Sequence, residues 1–335
     1  MVEKVAIIKL SAMGDIIHSM VALEFIKKYY PSIKIDWFVE DAFSQVLEYN
    51  PNINKIIKLN LKSIKKSKKN IFSQISFIKA FKEENYDLVI DAQGLIKSAL
   101  VARILGKNIV GFCKNSTRER FASFFYTKKV SIAYDKNVIE RNCFLISKAL
   151  NFDISTEDIL NKKPFLFFKS ENKVVYDFLS KDKKNVLLIV GASWKSKMYS
   201  KEKFAKIASN IDENFIIAWG NEEEKSIASF ISDNSSAKVL PKIDLNSLKA
   251  LVSKVDLVIG NDTGPTHMAW ALNTPSITIF GNTPDYRNTY LTNINRTVKS
   301  KSFVNPFKLN KEDFSINEIN EQEIIKIAKE LLCIE

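Results

Sequence analysis

The chain has few cysteines and no long apolar run, and each of these shortages excludes a class of protein. Three cysteines, Cys113, Cys143 and Cys333, occur in 335 residues. So small, odd and scattered a set indicates neither a disulfide framework nor a cysteine-rich metal cluster. No apolar run approaches the roughly 18 residues that a membrane-spanning helix needs. The N-terminus lacks the apolar core and cleavage site of a secretory signal, so we expect a cytoplasmic protein.

Glycine is scarce too, with only nine residues, and six of them follow short apolar runs. These six are Gly14, Gly94, Gly191, Gly220, Gly260 and Gly281. Near-continuous apolar runs such as 5–10 and 186–190 are typical of strands that are covered on both faces. Segments with helical spacing, such as 138–150 and 245–252, lie between the runs. This alternation predicts an α/β fold with parallel sheets.

The pattern restarts near residue 185, after a polar stretch at 151–163 and an extra strand–helix segment predicted for 165–179. We therefore expect two Rossmann-like, doubly wound domains that face a central cleft, at residues 1–165 and 166–318. A C-terminal helix at 319–335 could pack on either domain, including back onto the first. In such sheets ligands bind at the carboxyl ends of the strands, so the loops there should carry the chemistry.

The net charge of +12 has two interpretations. An anionic partner would explain it, and so would a general enrichment in lysine, since only six of the 50 basic residues are arginine. Five lysines fall within residues 62–69, which suits an anionic or membrane-bound substrate. Two of the few arginines, Arg118 and Arg120, lie close together, which fits bidentate binding of a phosphate or carboxylate.

The loop after the first predicted strand, Ser11 to Asp15, contains one glycine, so it is neither a dinucleotide-binding fingerprint nor a Walker loop. Its Asp15 has two interpretations. The carboxylate could be an acid in the first turn of a helix, where the dipole favours it. It could instead be a general base that takes a proton from an incoming hydroxyl.

The segment 260–269 follows another predicted strand and resembles a phosphate-binding turn. Two glycines bracket Asn-Asp-Thr, and Pro265 stands where the next helix should begin. Free backbone N–H groups at a helix start form an anion site, to which Thr263 and Thr266 add hydroxyl donors. His267, one of two histidines, could be structural or part of this site.

Two further loops follow predicted strands in the second half of the chain. Residues 191–197 place small and hydroxylated residues beside Lys195 and Lys197, which suits a pyrophosphate, although an exposed basic loop would look the same. Residues 222–224 are three glutamates at a helix start. All three could simply stabilise the helix through its dipole, or one of them could bind a ribose diol.

Three segments taken together resemble a known family. Residues 9–18 (KLSAMGDIIH) are similar to the opening motif of the bacterial lipopolysaccharide heptosyltransferases, glycosyltransferase family 9, which have the GT-B fold. Residues 91–99 (DAQGLIKSA) resemble the members that add the first heptose, and 261–267 (NDTGPTH) match the Asp-Thr-Gly-x-x-His signature of the family. The order and spacing of the segments agree over nearly the whole chain.

The resemblance implies roles for particular residues. Asp15 would be the general base, and Lys197 would neutralise the departing nucleotide diphosphate. The implied donor-binding residues are Ser193, Glu222, Glu224, Ile243, Asp262, Thr263, Gly264 and His267. The implied acceptor-binding residues are Ser11, Met13, Gly14, Lys62, Lys65, Lys66, Gln93, Arg118 and Arg120. The chain departs from the family at the lysines of 62–69, which replace an arginine-rich loop, and at Pro265, where a bulkier apolar residue is common.

The resemblance also implies the reaction. We expect inverting transfer of L-glycero-D-manno-heptose from ADP-heptose to the inner Kdo of Kdo2-lipid A, by a monomer that lies peripherally on the cytoplasmic face of the inner membrane. No metal, cofactor or nucleic-acid partner is expected. Two alternatives stay open. One is a family member that acts on a later core acceptor. The other, more distant, is a non-enzymatic basic protein that binds nucleotides or nucleic acid.

Overall fold

The structure is a computed structural model that describes residues 2–62 and 69–333. The chain divides into two compact units, Met1–Phe165 and Leu166–Glu335. Each unit contains one six-stranded sheet in which every strand pair is parallel, with helices between the strands. The predicted α/β fold with parallel sheets is therefore confirmed.

The first unit is built on the strand order β3-β2-β1-β4-β5-β6. Its strands are β1 (Lys4–Ile8), β2 (Lys34–Glu40), β3 (Lys55–Leu59), β4 (Leu88–Asp91), β5 (Ile109–Phe112) and β6 (Lys128–Val130). Its helices are α1 (Met13–Met20), α2 (Ala22–Tyr29), α3 (Lys69–Ala80), α4 (Ile96–Leu105), α5 (Val138–Leu150) and α6 (Thr156–Leu160). The strand order reverses between β1 and β4, so the loops after these two strands flank the topological switch point.

One face of the first sheet is covered by α3, α4 and the 3-10 segment Arg120–Phe125. Their inward side chains, among them Ile78, Ala102 and Ala122, join Ile8 and Phe38 of the strands in one buried apolar cluster. These three elements therefore form a single layer on that face.

The second unit repeats the arrangement with the order β12-β11-β10-β7-β8-β9. Its strands are β7 (Asn185–Ile189), β8 (Asn214–Ala218), β9 (Lys238–Val239), β10 (Leu257–Asn261), β11 (Ser276–Phe280) and β12 (Asn295–Lys299). Its helices are α7 (Lys201–Ser209), α8 (Glu222–Asp233), α9 (Leu245–Val252), α10 (Gly264–Leu272), α11 (Asp285–Asn288) and α12 (Glu321–Leu332). The switch point lies between β7 and β10, which precede the segments 191–197 and 262–264.

One detail differs from the sequence prediction. The segment 165–179 contains a 3-10 turn, Lys173–Tyr176, where a strand and a helix were predicted. Phe165 and Leu166 are buried outside regular structure, and Val175 is buried within the 3-10 turn, so burial explains the misleading apolar pattern. The terminal helix α12 packs on the core of the second unit. Ile324 and the other apolar residues of its inner face belong to the core around β7, β10 and β11.

No helix in the described part of the chain combines the length and apolarity that crossing a membrane requires.

Candidate active site

The centre of the site in the second unit is the carboxylate of Asp262, which is 4% exposed and directly follows β10. Its Oδ2 accepts a hydrogen bond from the Lys197 ammonium at 2.7 Å and from the Thr283 hydroxyl at 2.7 Å. Asn288 Nδ2 lies 3.3 Å from the same oxygen, and His267 Nε2 lies 3.0 Å from Oδ1. Side chains from four separate segments of the unit therefore converge on one buried carboxylate.

The charge of Asp262 is maintained by this setting. Burial alone would raise the pKa of the carboxyl, but the Lys197 ammonium and the hydrogen bond from His267 outweigh it and hold the pKa well below its usual range. The carboxylate therefore stays ionised at any physiological pH. It fixes both a lysine and a histidine at the switch point of the sheet.

The sequence around Lys197 explains how its ammonium reaches Asp262. The residue ends the 3-10 turn Lys195–Lys197, whose start is set by a hydrogen bond from Lys197 N–H to Trp194 O at 3.1 Å. The Lys197 ammonium also lies 4.9 Å from the centroid of the Trp194 ring, and the ammonium of Lys311 lies 4.9 Å from the same centroid. Two cations thus share one indole, an arrangement that strengthens the positive potential of this edge.

The Trp194 indole carries a second unusual feature. Its Nε1 is buried and has no hydrogen-bond partner within the described ranges 2–62 and 69–333. Lys311 reaches the ring because Asn310 O accepts a hydrogen bond from Asn282 Nδ2 at 2.8 Å, and the same amide nitrogen donates to Ser196 Oγ at 2.7 Å. These bonds fasten the loop after β12 to the loop after β7.

Glu224 connects the ends of two neighbouring strands. Its carboxylate accepts hydrogen bonds from Gly220 N–H at 2.7 Å and from Asn221 Nδ2 at 2.9 Å, both in the loop after β8. It also packs against Gly191 after β7 so closely that a Cβ there would stand 2.2 Å from Glu224 Cδ. A side chain at 191 would therefore displace the Glu224 carboxylate from its place beside the strand end. Glu222, in contrast, is exposed and lies 3.7 Å from Lys225 on its own helix.

The remaining donor candidates lie at the same edge of the second sheet. Thr263 is the N-cap of α10, and Gly264 is its first residue, so Pro265 stands within the first turn as the sequence predicted. The N–H groups of that turn have no partners inside the helix and can meet an anion. The Thr266 hydroxyl does not join them, because it donates to Asn261 O at 2.7 Å. Two more candidates, exposed Ser193 and half-buried Ile243, follow β7 and β9.

In the first unit the loop after β1 is held by Gln93, which comes from the loop after β4. Gln93 Oε1 accepts the backbone N–H groups of Leu10 and Ser11, both at 3.0 Å. The loop then enters α1, which begins at Met13 and includes Gly14. The structure therefore brings Gln93 and the Asp15 loop together across the switch point. The amide oxygen of Gln93 is engaged with the backbone.

The Asp15 carboxylate is half-buried in the first turn of α1. Its Oδ2 accepts the Ala12 N–H at 3.2 Å, as expected for an acid that stabilises a helix start. A carboxylate offers about four lone-pair positions, so this single bond leaves it able to accept a proton from a ligand. The two sequence interpretations of Asp15 are thus compatible in one residue.

The loop after β4 is held by hydrogen bonds to Asp91, the fully buried last residue of that strand. Its carboxylate accepts hydrogen bonds from the Tyr126 and Ser98 hydroxyls at 2.7 and 2.9 Å and from the Gln93 N–H at 2.9 Å. Burial raises the pKa of Asp91, although these hydrogen bonds oppose the shift. Asp91 therefore holds the loop that carries Gln93 in place.

Arg118 and Arg120 are both exposed, and Glu119 between them accepts the Ile96 N–H at the start of α4 at 2.7 Å. This contact fastens the arginine-bearing loop to α4. Lys62 is exposed as well, with its ammonium 5.0 Å from the centroid of the Phe43 ring. Lys65 and Lys66 lie outside the described residues.

Several residues of the site were not found from the sequence. Thr283, Asn288 and Trp194 contact the Asp262–Lys197 pair, and Lys311 contacts the Trp194 ring, but none of the four belongs to a recognisable motif. Thr283 is 21 residues from Asp262, and only the pairing of β10 with β11 brings the ends of these strands together. The one available signal was the run of polar residues directly after the predicted strand 277–280.

Within residues 2–62 and 69–333, no group of three or more His, Cys, Asp or Glu side chains could hold a metal ion.

The chain is similar to proteins of a known family along most of its length. The model of the family described as glycosyltransferase family 9 (heptosyltransferase) matches residues 74–313. The chain is 41% identical to lipopolysaccharide heptosyltransferase 1 of Campylobacter coli, over 98% of each chain. It is 30% identical to lipopolysaccharide heptosyltransferase 1 of Escherichia coli K12, over 84% of this chain and 88% of the relative.

Among solved structures, E. coli heptosyltransferase WaaC with ADP-2-deoxy-2-fluoro heptose superposes with a TM-score of 0.77 at 24% identity. The match covers 98% of this chain and 99% of that one. The likeness extends over both units, which confirms the predicted GT-B fold. With a family model that spans most of the chain and a relative at 41% identity, the chain belongs to glycosyltransferase family 9, the heptosyltransferases.

Proposed function

We propose that this enzyme transfers L-glycero-D-manno-heptose from ADP-heptose to the inner Kdo of Kdo2-lipid A during synthesis of the lipopolysaccharide inner core. The observation that carries the proposal is the 41% identity, over 98% of both chains, to a lipopolysaccharide heptosyltransferase 1. The donor class is supported by a structural relative that binds an ADP-heptose analogue. The enzyme acts as a monomer, needs no metal or cofactor, and lies peripherally on the cytoplasmic face of the inner membrane.

The donor, ADP-heptose, binds to the second unit. Lys197 and the N-terminal turn of α10 face the diphosphate, with Ser193 as a further hydroxyl donor. Asp262 neutralises much of the Lys197 charge. The main effect of the Asp262 carboxylate is therefore to hold the Lys197 ammonium in one place. Glu224 binds the ribose diol, and Ile243 lies beside the adenine.

The chemical step starts at Asp15 in the first unit. Its carboxylate takes the proton from the attacking Kdo hydroxyl, whose oxygen forms a bond to the anomeric carbon of the heptose. The bond from that carbon to the diphosphate breaks, and ADP leaves with the electron pair, so the configuration is inverted. Lys197 and the Thr263–Gly264 amides stabilise the negative charge that develops on ADP. The remaining acceptor candidates, above all Arg118 and Arg120, bind the acidic groups of the acceptor.

A panel of acceptors tests the proposal. Purified enzyme and ADP-heptose are combined with lipid A lacking Kdo, with Kdo2-lipid A, and with Kdo2-lipid A that already carries one heptose. We expect kcat/KM to be highest for Kdo2-lipid A, and no transfer to lipid A without Kdo. Preference for the heptosylated acceptor would assign the chain to a later step of the core and refute the proposed acceptor.

Gly191→Ala tests whether Glu224 binds the donor. The added Cβ would stand 2.2 Å from Glu224 Cδ, so the carboxylate must move away from its place beside Gly220. Losing one hydrogen bond to a charged group corresponds to a rise in donor KM of about 10-fold or more. Steady-state kinetics would show this rise with little change in acceptor KM.

The matched control is Gly220→Ala, since a Cβ there would meet Glu224 only at 3.3 Å. It should raise the donor KM much less. An unchanged donor KM in Gly191→Ala would remove Glu224 from the donor site.

A further inference from the structure

The outer surface of the α3–α4 layer is unusually apolar for a solvent-facing layer. Phe72 of α3 is 78% exposed, Leu100 of α4 is 46% exposed, and Phe121 and Phe124 are 70% and 73% exposed. The rings of Phe121 and Phe124 lie side by side, with centroids 6.0 Å apart. We call the surface formed by these four residues the aromatic face.

These residues lie on one side of the first unit. α3, α4 and the segment Arg120–Phe125 contribute their inner side chains to the same core cluster, and α4 packs against both of the others. Elements that cover one face of a sheet in a single layer present their outer side chains in one direction. The aromatic face is therefore a shared surface and not four separate exposed residues.

The chain segment that carries Leu100, Phe121 and Phe124 is strongly basic. Residues 94–130 contain eight lysines and arginines and a single acid, Glu119. The Glu119 carboxylate accepts the Ile96 N–H, so it is partly occupied. Arg103 and Lys107 extend the positive charge along the exposed side of α4. Apolar rings among positively charged side chains favour a partner that is both negatively charged and apolar.

We propose that the aromatic face docks on an anionic phospholipid surface. Basic residues are attracted to the anionic headgroups, and aromatic side chains partition into the boundary between headgroups and acyl chains. A second copy of the chain fits less well, because a two-fold contact through this face would set the same cations against each other. The role of this docking rests on the proposed function, in which the acceptor is a lipid. Docking would bring the loops after β4 and β5 to the surface that holds a lipid-linked acceptor.

Vesicle flotation of the whole protein tests the proposal directly. The probes are vesicles of phosphatidylethanolamine with phosphatidylglycerol and vesicles of phosphatidylcholine alone. We expect binding to the anionic vesicles only, and weaker binding at high salt. The double substitution Phe121→Ser with Phe124→Ser should lower the partition coefficient by about tenfold or more. Both side chains are mostly exposed, so thermal unfolding should stay unchanged.

The matched control carries Phe303→Ser and Phe307→Ser, which remove two exposed rings, at 92% and 69% exposure, from the second unit. It should bind vesicles like the wild type. Equal loss in both double variants, or no loss in the Phe121/Phe124 variant, would overturn the assignment. A dimer of the wild type that this variant dissociates would show that the face binds a second copy instead.

Transfer assays with a soluble and a membrane-bound acceptor distinguish a failure of membrane docking from a failure of the proposed function. The Phe121/Phe124 variant should transfer heptose to a soluble, deacylated Kdo2 acceptor as fast as the wild type, but more slowly to Kdo2-lipid A in anionic vesicles. If neither protein transfers heptose, yet the variant has lost vesicle binding, the proposed function fails and the docking surface stands. Equal rates of both proteins on vesicles would refute docking through this face.

Discussion

Asp15→Asn should lower kcat for heptose transfer by about 1,000-fold while the protein still folds and binds ADP-heptose. The asparagine side chain keeps an oxygen that can accept the Ala12 N–H, which the Asp15 carboxylate accepts at 3.2 Å. The start of α1 is therefore preserved, and the loss isolates the role of the carboxylate as a base. Steady-state rates together with calorimetric titration of donor binding would measure the effect.

Asp41→Asn is the matched control for this experiment. Asp41 is also an acid in the first turn of a helical segment, Asp41–Val46, directly after a strand of the same sheet. It is exposed and has no proposed role in the reaction. We expect its kcat to stay near that of the wild type. Full activity of Asp15→Asn would mean that Asp15 only stabilises the helix start and that another group accepts the proton.

Asp262→Ala should have the second large effect, on both stability and donor binding. Removing this carboxylate leaves the buried Lys197 ammonium without the counter-charge that now lies 2.7 Å away. Breaking a buried ion pair by removing one partner costs about 3–5 kcal/mol of unfolding free energy. Chemical denaturation would measure this loss, and donor binding should weaken as Lys197 loses its position.

The control is Asp285→Ala, which removes an ion pair at 3.3 Å with Lys299 nearer the surface of the same unit. Such a pair contributes about 0–1 kcal/mol. Equal losses in the two variants would contradict the view that Asp262 organises the site.

The effect of Asp262 should also depend on pH in a defined direction. The Lys197 ammonium and His267 hold the pKa of Asp262 well below its usual range despite burial, so the unfolded chain binds the proton more readily than the folded protein does. The stabilisation is therefore complete above the pKa of an unfolded aspartate, about 3.9, and declines as the pH falls below it. The difference in unfolding free energy between wild type and Asp262→Asn should be constant at neutral pH and narrow below about pH 4.

The sequence predicted the fold well where strands are buried on both faces. The runs at 5–10 and 186–190 are near-continuous apolar segments, and the structure places β1 and β7 there, in the middle of the two sheets. Edge strands such as β6 and β12 escaped prediction because they are short or polar. The segment 165–179 was predicted wrongly, since burial alone and not regular structure accounts for its apolar residues.

The site was predictable only as far as its motifs extend. Asp262 and Lys197 in the second unit, and Asp15 in the first, come soon after recognisable strands, and each parallel sheet brings the segments after its own strands to one edge. Thr283 and Lys311 come from loops whose contacts depend on the order of strands within the sheet. Strand order is a property of the folded chain, so no local pattern could have identified these residues.

One measurement tests the central claim most directly: the product formed from ADP-heptose and purified Kdo2-lipid A by the wild-type enzyme, examined by mass spectrometry and NMR. The proposed mechanism predicts the addition of a single heptose to Kdo, with an anomeric configuration opposite to that of the donor. An unmodified acceptor under conditions in which the enzyme binds ADP-heptose would contradict the proposed acceptor. A product that retains the configuration of the donor would contradict the direct displacement assigned to Asp15.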